Sequence, residues 1–134
     1  MANFLNDVKT KSFNRIVVLA TGSSSNAIES ARYFVSDLLN MEVSIKMPFV
    51  VSNYDSFVDK QALYFAVSQG GHSYSTIEAV REIQQKSGQK VYTFTADVES
   101  PIARVSGCPI EIGCGKESVG FVTMGMSATV LIFM

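Results

Sequence analysis

Apolar residues along the chain fall into two alternating patterns. Segments 16–20 and 61–68 are short, largely apolar and rich in β-branched or aromatic residues, which is typical of strands buried on both faces. Segments 26–39 and 75–86 instead carry apolar residues at helical spacing, and a serine-rich stretch just before the first of them predicts helix N-caps. In that first helix one stripe is formed by Ala27, Ala31, Phe34, Val35 and Leu38.

Shorter sequence signals predict the remaining strands and helices. Gly88 is placed to stop the second helix, and proline at position 101 predicts a helical turn over 101–104, because proline favours the first position of a helix. The polar segment 53–60 predicts a loop or a short helix. Three further strands are predicted at 41–47, which Pro48 would end, at 90–95 and at 109–112.

Strands that alternate with helices predict βαβ units, and right-handed crossovers leave few topologies for them. The sequence therefore predicts a three-layer α/β fold with a doubly wound, five-stranded parallel sheet of the flavodoxin-like type. A chain of 134 residues can bury a single core, so one domain is expected over 1–134.

Composition narrows the class of partner. Apolar residues make up 47% of the chain and charged residues 17%, which is typical of a globular protein. The formal net charge is -1 and the basic residues are scattered, whereas a nucleic-acid partner would favour a basic surface. We expect a small molecule or another protein as the partner, and no nucleic acid.

The two cysteines and the chain start point to a reducing compartment. Cys108 and Cys114 are too few for a disulfide framework, and with one histidine in the chain they do not make a zinc site. The first 15 residues mix acidic and basic side chains without an apolar core, so they do not resemble a signal peptide. We expect a cytoplasmic protein that holds no metal.

The segment 119–134 carries no charged residue. It is shorter than the ~20 residues that a membrane span needs, so we expect a packed helix and no membrane partner. An uncharged helix must bury all its faces, which predicts a homodimer or higher oligomer formed through this helix. The chain stops inside this apolar run, and we therefore expect the polypeptide to continue into a second domain.

Two loops carry the candidate chemistry. Segment 21–25 (TGSSS) follows the first predicted strand, and segment 68–73 (SQGGHS) follows the third. Ligands of open α/β sheets bind at the carboxyl ends of the strands, and helix N-termini there favour anions. Each loop offers hydroxyls, glycines and N–H groups but no Lys or Arg, so neutral donors would hold the anion. The alternative is that these serines only cap helices.

Competing phosphate-binding motifs are missing from the sequence. No G-x-G-x-x-G follows the first strand, and no G-x-x-x-x-G-K-[ST] occurs anywhere in the chain. Dinucleotide and nucleoside-triphosphate binding are therefore not expected.

The two loops resemble those of the SIS (sugar isomerase) domain family, whose members have a G-[ST]-S turn after the first strand and an S-[QG]-S-G-x-[ST] loop after the third. In particular, the sequence resembles the first SIS domain of proteins of the glucosamine-fructose-6-phosphate aminotransferase and fructosamine-phosphate deglycase type. There, segment 31–34 (ARYF) is similar to an S-R-Y segment, and 115–120 (GKESVG) to a G-x-E-x-x-V turn. The similarity begins at about residue 15 and covers nearly the whole chain.

The resemblance implies a phosphosugar-binding domain, with no cofactor. Gly70 takes the place of the family's usual serine, which leaves only a backbone N–H there. Gly120 stands where the relatives have a valine whose backbone faces the sugar. The implied ligand-binding residues are Ser23, Ser24, Ser68, Gln69, Gly70, Ser73 and Gly120.

The resemblance assigns no catalytic residue within this chain. His72 invites a general acid–base role, but it stands where the family often has Glu and places no catalytic group. Glu117 is expected to anchor a turn. In two-domain relatives the principal catalytic residues come from the second SIS domain, joined by a histidine across the dimer. This chain would then be the N-terminal half of an isomerase, aminotransferase or deglycase, able to bind but not to catalyse alone.

Two other functions remain open on the sequence. SIS domains also serve as non-enzymatic phosphosugar sensors in transcriptional regulators, although about 14 residues before the first strand are too few for a DNA-binding domain. A flavodoxin-like domain could instead hold another anion, such as the phosphate of FMN, in the first loop.

Overall fold

Five parallel strands form one sheet in the order β2-β1-β3-β4-β5. The computed structural model describes residues 6–7, 10–113 and 127 of the 134. The strands are β1 Arg15–Leu19, β2 Glu42–Lys46, β3 Ala62–Val67, β4 Val91–Thr95 and β5 Pro109–Glu111. The strand order reverses between β1 and β3, as in a doubly wound sheet, so the predicted fold class is confirmed.

Four helices follow the first four strands in turn. Their bounds are α1 Gly22–Leu39, α2 Pro48–Asn53, α3 Tyr74–Ser87 and α4 Pro101–Ser106. The helix α3 ends at Gly88, which adopts φ +68° as its C-cap, and this confirms the role predicted for that glycine.

Helices cover both faces of the sheet because the strand residues alternate between two buried clusters. On one face, Ile28 of α1 packs with Ile16 and Val18 of β1 and with Phe65 of β3. On the other face the helices α2, α3 and α4 contribute the buried side chains Val51, Ile77, Ala79, Val80, Ile83 and Ile102. All six residues of β3 are buried, which explains why its sequence lacks polar alternation.

Two helix boundaries differ from the sequence prediction. The helix α1 begins at Gly22 rather than at residue 26, so the serines lie in its first turn instead of before it. Thr21 is the N-cap residue, and its side chain makes no capping hydrogen bond. The helix α2 begins at Pro48, where only the end of a strand was expected, because proline suits a first helical position as well as a strand end.

The apolar stripe predicted for α1 is fully buried only at its N-terminal end, although Val35 further along also packs on the core. Ala27 and Ala31 are fully buried, whereas Phe34 is 46% exposed and Leu38 is 67% exposed. Helical spacing alone therefore overstated how much of this helix faces the core.

Among residues 6–7, 10–113 and 127, no helix is long and apolar enough to cross a membrane. The predicted apolar helix at 119–134 lies outside the described residues, apart from Ser127.

The different burial of two leucines predicts different effects of alanine substitution on the free energy of unfolding. Leu19 in β1 is 0% exposed, whereas Leu38 in α1 is 67% exposed. Leu19→Ala should lower the free energy of unfolding by about 2–5 kcal/mol, because it leaves a cavity in the core. Leu38→Ala should change it by less than about 0.5 kcal/mol. Urea denaturation followed by circular dichroism measures both, and equal losses would contradict this assignment of the core.

Candidate functional site

The two candidate loops start side by side at the carboxyl edge of the sheet. Strands β1 and β3 are hydrogen-bonded neighbours, with Leu19 opposite Ala66. Neighbouring strands lie about 4.8 Å apart, so Thr21 and Ser68, two residues further on, begin adjacent loops. The prediction that the loops share one edge is therefore confirmed.

Each loop leads into the N-terminus of a long helix. Thr21 precedes α1 and Ser73 precedes α3, both with extended backbone. The two helices lie on opposite faces of the sheet, since Ile28 and Ile77 belong to different core clusters. The first N–H groups of a helix have no partner within it. The N-termini of both helices therefore lie at the carboxyl edge of the sheet, near the strand-order reversal, and helix N-termini generally favour anions.

The β1–α1 loop is short and partly open. Thr21 and Gly22 are exposed, whereas Ser23 and Ser24 are half-buried in the first turn of α1. Gly22 has φ +58°, in the left-handed region that glycine tolerates best. Ser23 and Ser24 thus lie in the first turn of α1, close to the carboxyl end of β1.

The β3–α3 loop is held by backbone hydrogen bonds. The N–H of Ser68 donates to Phe94 O at 3.0 Å, and the N–H of Gly71 donates back to Ser68 O at 3.1 Å. The carbonyl of Gln69 accepts from Ala96 N at 2.9 Å and from Thr95 Oγ1 at 3.1 Å. The loop is therefore fixed to the end of β4 before any ligand contributes.

Hydroxyls cluster at the start of α3. Ser73 Oγ accepts a hydrogen bond from Thr76 Oγ1 at 2.8 Å and lies 3.4 Å from Ser75 Oγ. Thr76 is 1% exposed, so this pair links the loop to the buried side of the helix. His72 is exposed beside it.

The two adjacent glycines of this loop have different surroundings. At Gly70, a Cβ would meet no heavy atom within 4 Å. At Gly71, which has φ +70°, a Cβ would lie 2.1 Å from Ser100 Oγ and 3.2 Å from Thr95 Oγ1. Only glycine fits at position 71, whereas position 70 has room for the serine that the family usually has.

A third loop, between β4 and α4, belongs to the same edge and was missed by the sequence analysis. Its Ser100 packs directly under Gly71, and Ile102 N donates to Gly71 O at 3.1 Å. A signal was present, because β4 follows β3 in the chain and parallel strands place their next loops at one edge. The segment 96–100 lacks the Ser-Gly pattern that marked the other two loops.

The structure describes only some of the residues that the sequence analysis singled out. Gly120, Glu117 and Cys114 lie outside the described residues. Among residues 6–7, 10–113 and 127, no three His, Cys, Asp or Glu side chains group closely enough to hold a metal ion.

The shifted pKa values belong to Asp7, Tyr64, Lys90 and Tyr92, none of which lies in the two candidate loops. A hydrogen bond from Lys90, supported by one from Tyr92, lowers the pKa of Asp7, and the same Asp7 raises the pKa of Lys90. Burial raises the pKa of Tyr92 and of Tyr64.

Comparison with protein families and curated proteins gives consistent matches. The SIS domain model matches residues 11–134. Glutamine–fructose-6-phosphate aminotransferase of Sulfolobus acidocaldarius is 36% identical over 108 residues, which is 80% of this chain and 18% of that protein. The same enzyme of Sulfurisphaera tokodaii is 30% identical over 120 residues, or 89% of this chain and 18% of that protein. The chain thus spans less than a fifth of the length of these relatives.

Solved structures share the fold. A protein of Silicibacter pomeroyi, provisionally named a phosphosugar isomerase, superposes with a TM-score of 0.82 and 28% identity over 98% of this chain and 40% of that one. The C-terminal domain of glucosamine-fructose-6-phosphate aminotransferase of Francisella tularensis has a TM-score of 0.83 at 20% identity, covering 91% of this chain and 34% of that one.

The two glycines give a matched stability test. Gly71→Ala should lower the free energy of unfolding by more than about 1–2 kcal/mol, because the cost of left-handed backbone adds to the contact with Ser100. Gly70→Ala should leave it unchanged or raise it by up to about 1 kcal/mol, by reducing the entropy of the unfolded chain. Chemical denaturation of both variants measures the difference. A Gly71→Ala protein as stable as Gly70→Ala would show that this loop is not packed on Ser100.

Proposed function

The chain belongs to the SIS domain family, and we propose that it binds the phosphate group of a sugar phosphate in the crevice between the β1–α1 and β3–α3 loops. The observation that carries the proposal is that two serine- and glycine-rich loops, each leading into a helix N-terminus, follow neighbouring strands where the strand order reverses. The names of the relatives, which are phosphosugar isomerases and aminotransferases, support the same class of ligand.

Neutral donors hold the phosphate in this proposal. Ser68 and Ser73 offer hydroxyls from the second loop, with Gln69 and the N–H of Gly70 between them. Ser23 and Ser24 approach from the first turn of α1, and we assign Gly120 a backbone contact to the sugar. Hydrogen bonds from neutral groups to a charged acceptor are stronger than neutral pairs, so several of them can replace a basic side chain.

Gly70 makes this site poorer by one hydroxyl than the usual SIS loop. Since a Cβ at position 70 would meet nothing within 4 Å, the space for a serine side chain is present. Binding in this loop therefore depends more heavily on the hydroxyls of Ser68 and Ser73.

Catalysis requires groups beyond this crevice. Isomerisation moves a proton between adjacent carbons and needs a base together with donors that polarise the carbonyl. We propose that this chain supplies phosphate anchorage, which positions the reacting carbons, and acts as the N-terminal half of a two-domain cytoplasmic enzyme. In that assembly the apolar segment 119–134 would pack against the second domain or a second copy of the chain.

Binding should be visible as a thermal shift that depends on two serines. The 134-residue chain is titrated with fructose 6-phosphate, glucosamine 6-phosphate or a fructosamine 6-phosphate, and with FMN for comparison. A ligand at one hundred times its Kd stabilises the fold by about 2.7 kcal/mol. We expect at least one of these sugar phosphates to raise the Tm, and Ser68→Ala or Ser73→Ala to weaken its binding about 10- to 150-fold, as loss of a hydrogen bond to a charged group does.

Each variant is compared with its own Tm without ligand, which removes its effect on stability. Ser30→Ala is the matched control, because Ser30 is exposed, lies on α1 beyond its first turns and donates to Asn26 O. It should bind as the unaltered chain does. If no sugar phosphate shifts the Tm, or if Ser30→Ala weakens binding equally, the proposed site is wrong. A shift with FMN alone would favour a flavodoxin-like function.

A further inference from the structure

A buried hydroxyl lies without a partner beneath the β3–α3 loop. Ser100 is 2% exposed, and its Oγ has no hydrogen-bond partner among the described residues. Gly71 lies directly above it, since a Cβ on Gly71 would be 2.1 Å from that Oγ. The unpaired hydroxyl therefore faces the middle of the loop that we assign to the phosphate.

The serine at the other end of α4 shows the contrast. Ser106 is 6% exposed, and its Oγ lies 2.9 Å from Thr93 Oγ1, donates to Ala103 O at 3.2 Å and accepts from Cys108 N at 3.2 Å. Buried hydroxyls in folded proteins are normally paired in this way, and one that is unpaired costs free energy. Alanine at position 100 would avoid that cost. We therefore expect the hydroxyl of Ser100 to have a function that offsets it.

We propose that Ser100 is a positioning residue for the phosphate loop, whose hydroxyl gains its acceptor when the loop binds a phosphate group. The proposal rests on the proposed function. The N–H and C=O of one peptide group point in opposite directions, so an N–H that turns outward to an anion sends its carbonyl inward. The peptide group between Gly70 and Gly71 can turn in this way, because both flanking residues are glycines. Its carbonyl would then point toward Ser100 Oγ.

The present loop is compatible with that step. The Gly71 N–H donates to Ser68 O at 3.1 Å, and Gly71 O is held by Ile102 N at 3.1 Å. When the peptide group between Gly70 and Gly71 turns, the Gly71 N–H leaves Ser68 O and donates to the anion instead. The hydrogen bond from Ile102 N to Gly71 O is kept, and it holds Gly71 over Ser100. The hydrogen bond from Ser100 would then favour the binding conformation of the loop.

Two alanine variants separate this role from a structural one. Ser100→Ala removes an unpaired hydroxyl, so the Tm without ligand should equal that of the unaltered chain or be a few degrees higher. Its Kd for inorganic phosphate and fructose 6-phosphate, measured by titration calorimetry, should rise about three- to tenfold, as one net hydrogen bond is lost. Ser106→Ala should show the reverse, with a lower Tm and an unchanged Kd.

The same measurements distinguish a failure of the positioning role of Ser100 from a failure of the proposed phosphate site. If Ser100→Ala binds as the unaltered chain does, or loses Tm as Ser106→Ala does, the positioning role is wrong. The phosphate site still stands in that case, provided that Ser68→Ala weakens binding in the same titration. If the unaltered chain binds neither probe, the site and the role of Ser100 fall together.

Discussion

Direct parallel pairing of β1 with β3 is the constraint on which the candidate site depends. With Leu19 opposite Ala66, the loops that follow these strands must begin next to each other. Because β2 lies on the other side of β1, the crossover through α1 covers one face and the crossover through α3 covers the other. The two helix N-termini consequently lie at the same edge of the sheet, and this follows from strand order before any side chain is considered.

Hydroxyl groups in β4 tie the neighbouring segments to that sheet. Thr93 and Thr95 are 0% exposed and lie on the face that also carries Val91, toward α3 and α4. Thr93 pairs with Ser106 of α4, and Thr95 donates to the carbonyl of Gln69 in the β3–α3 loop. Threonine suits both tasks, since its branched side chain favours a strand while its hydroxyl satisfies a buried partner.

The sequence predicts the sheet well because apolar runs of strand length, separated by glycine, proline and serine, are local signals. All five strands and the helix α3 were predicted to within one or two residues of their observed bounds, whereas α1 begins four residues before its predicted start. The exposure of Phe34 and Leu38 was not predicted. Helical spacing shows which residues share a stripe, but it does not show how far the sheet extends beneath that stripe. The position of Ser100 beneath the β3–α3 loop was also not predictable from the sequence, because Ser100 and Gly71 are far apart in the chain.

An anion site without a basic side chain places a particular demand on its loop. A lysine can follow a phosphate over some distance, because its charge attracts in every direction. A hydroxyl or N–H is effective only within about 3 Å and near a straight line, so several must be aligned at once. In the site that we propose, the loop is held by the contacts of Ser68 with Phe94 and of Gln69 with Ala96, and Gly71 is fitted closely to Ser100. In the proposed site, precise placement of neutral donors would therefore take the role that a basic side chain has elsewhere.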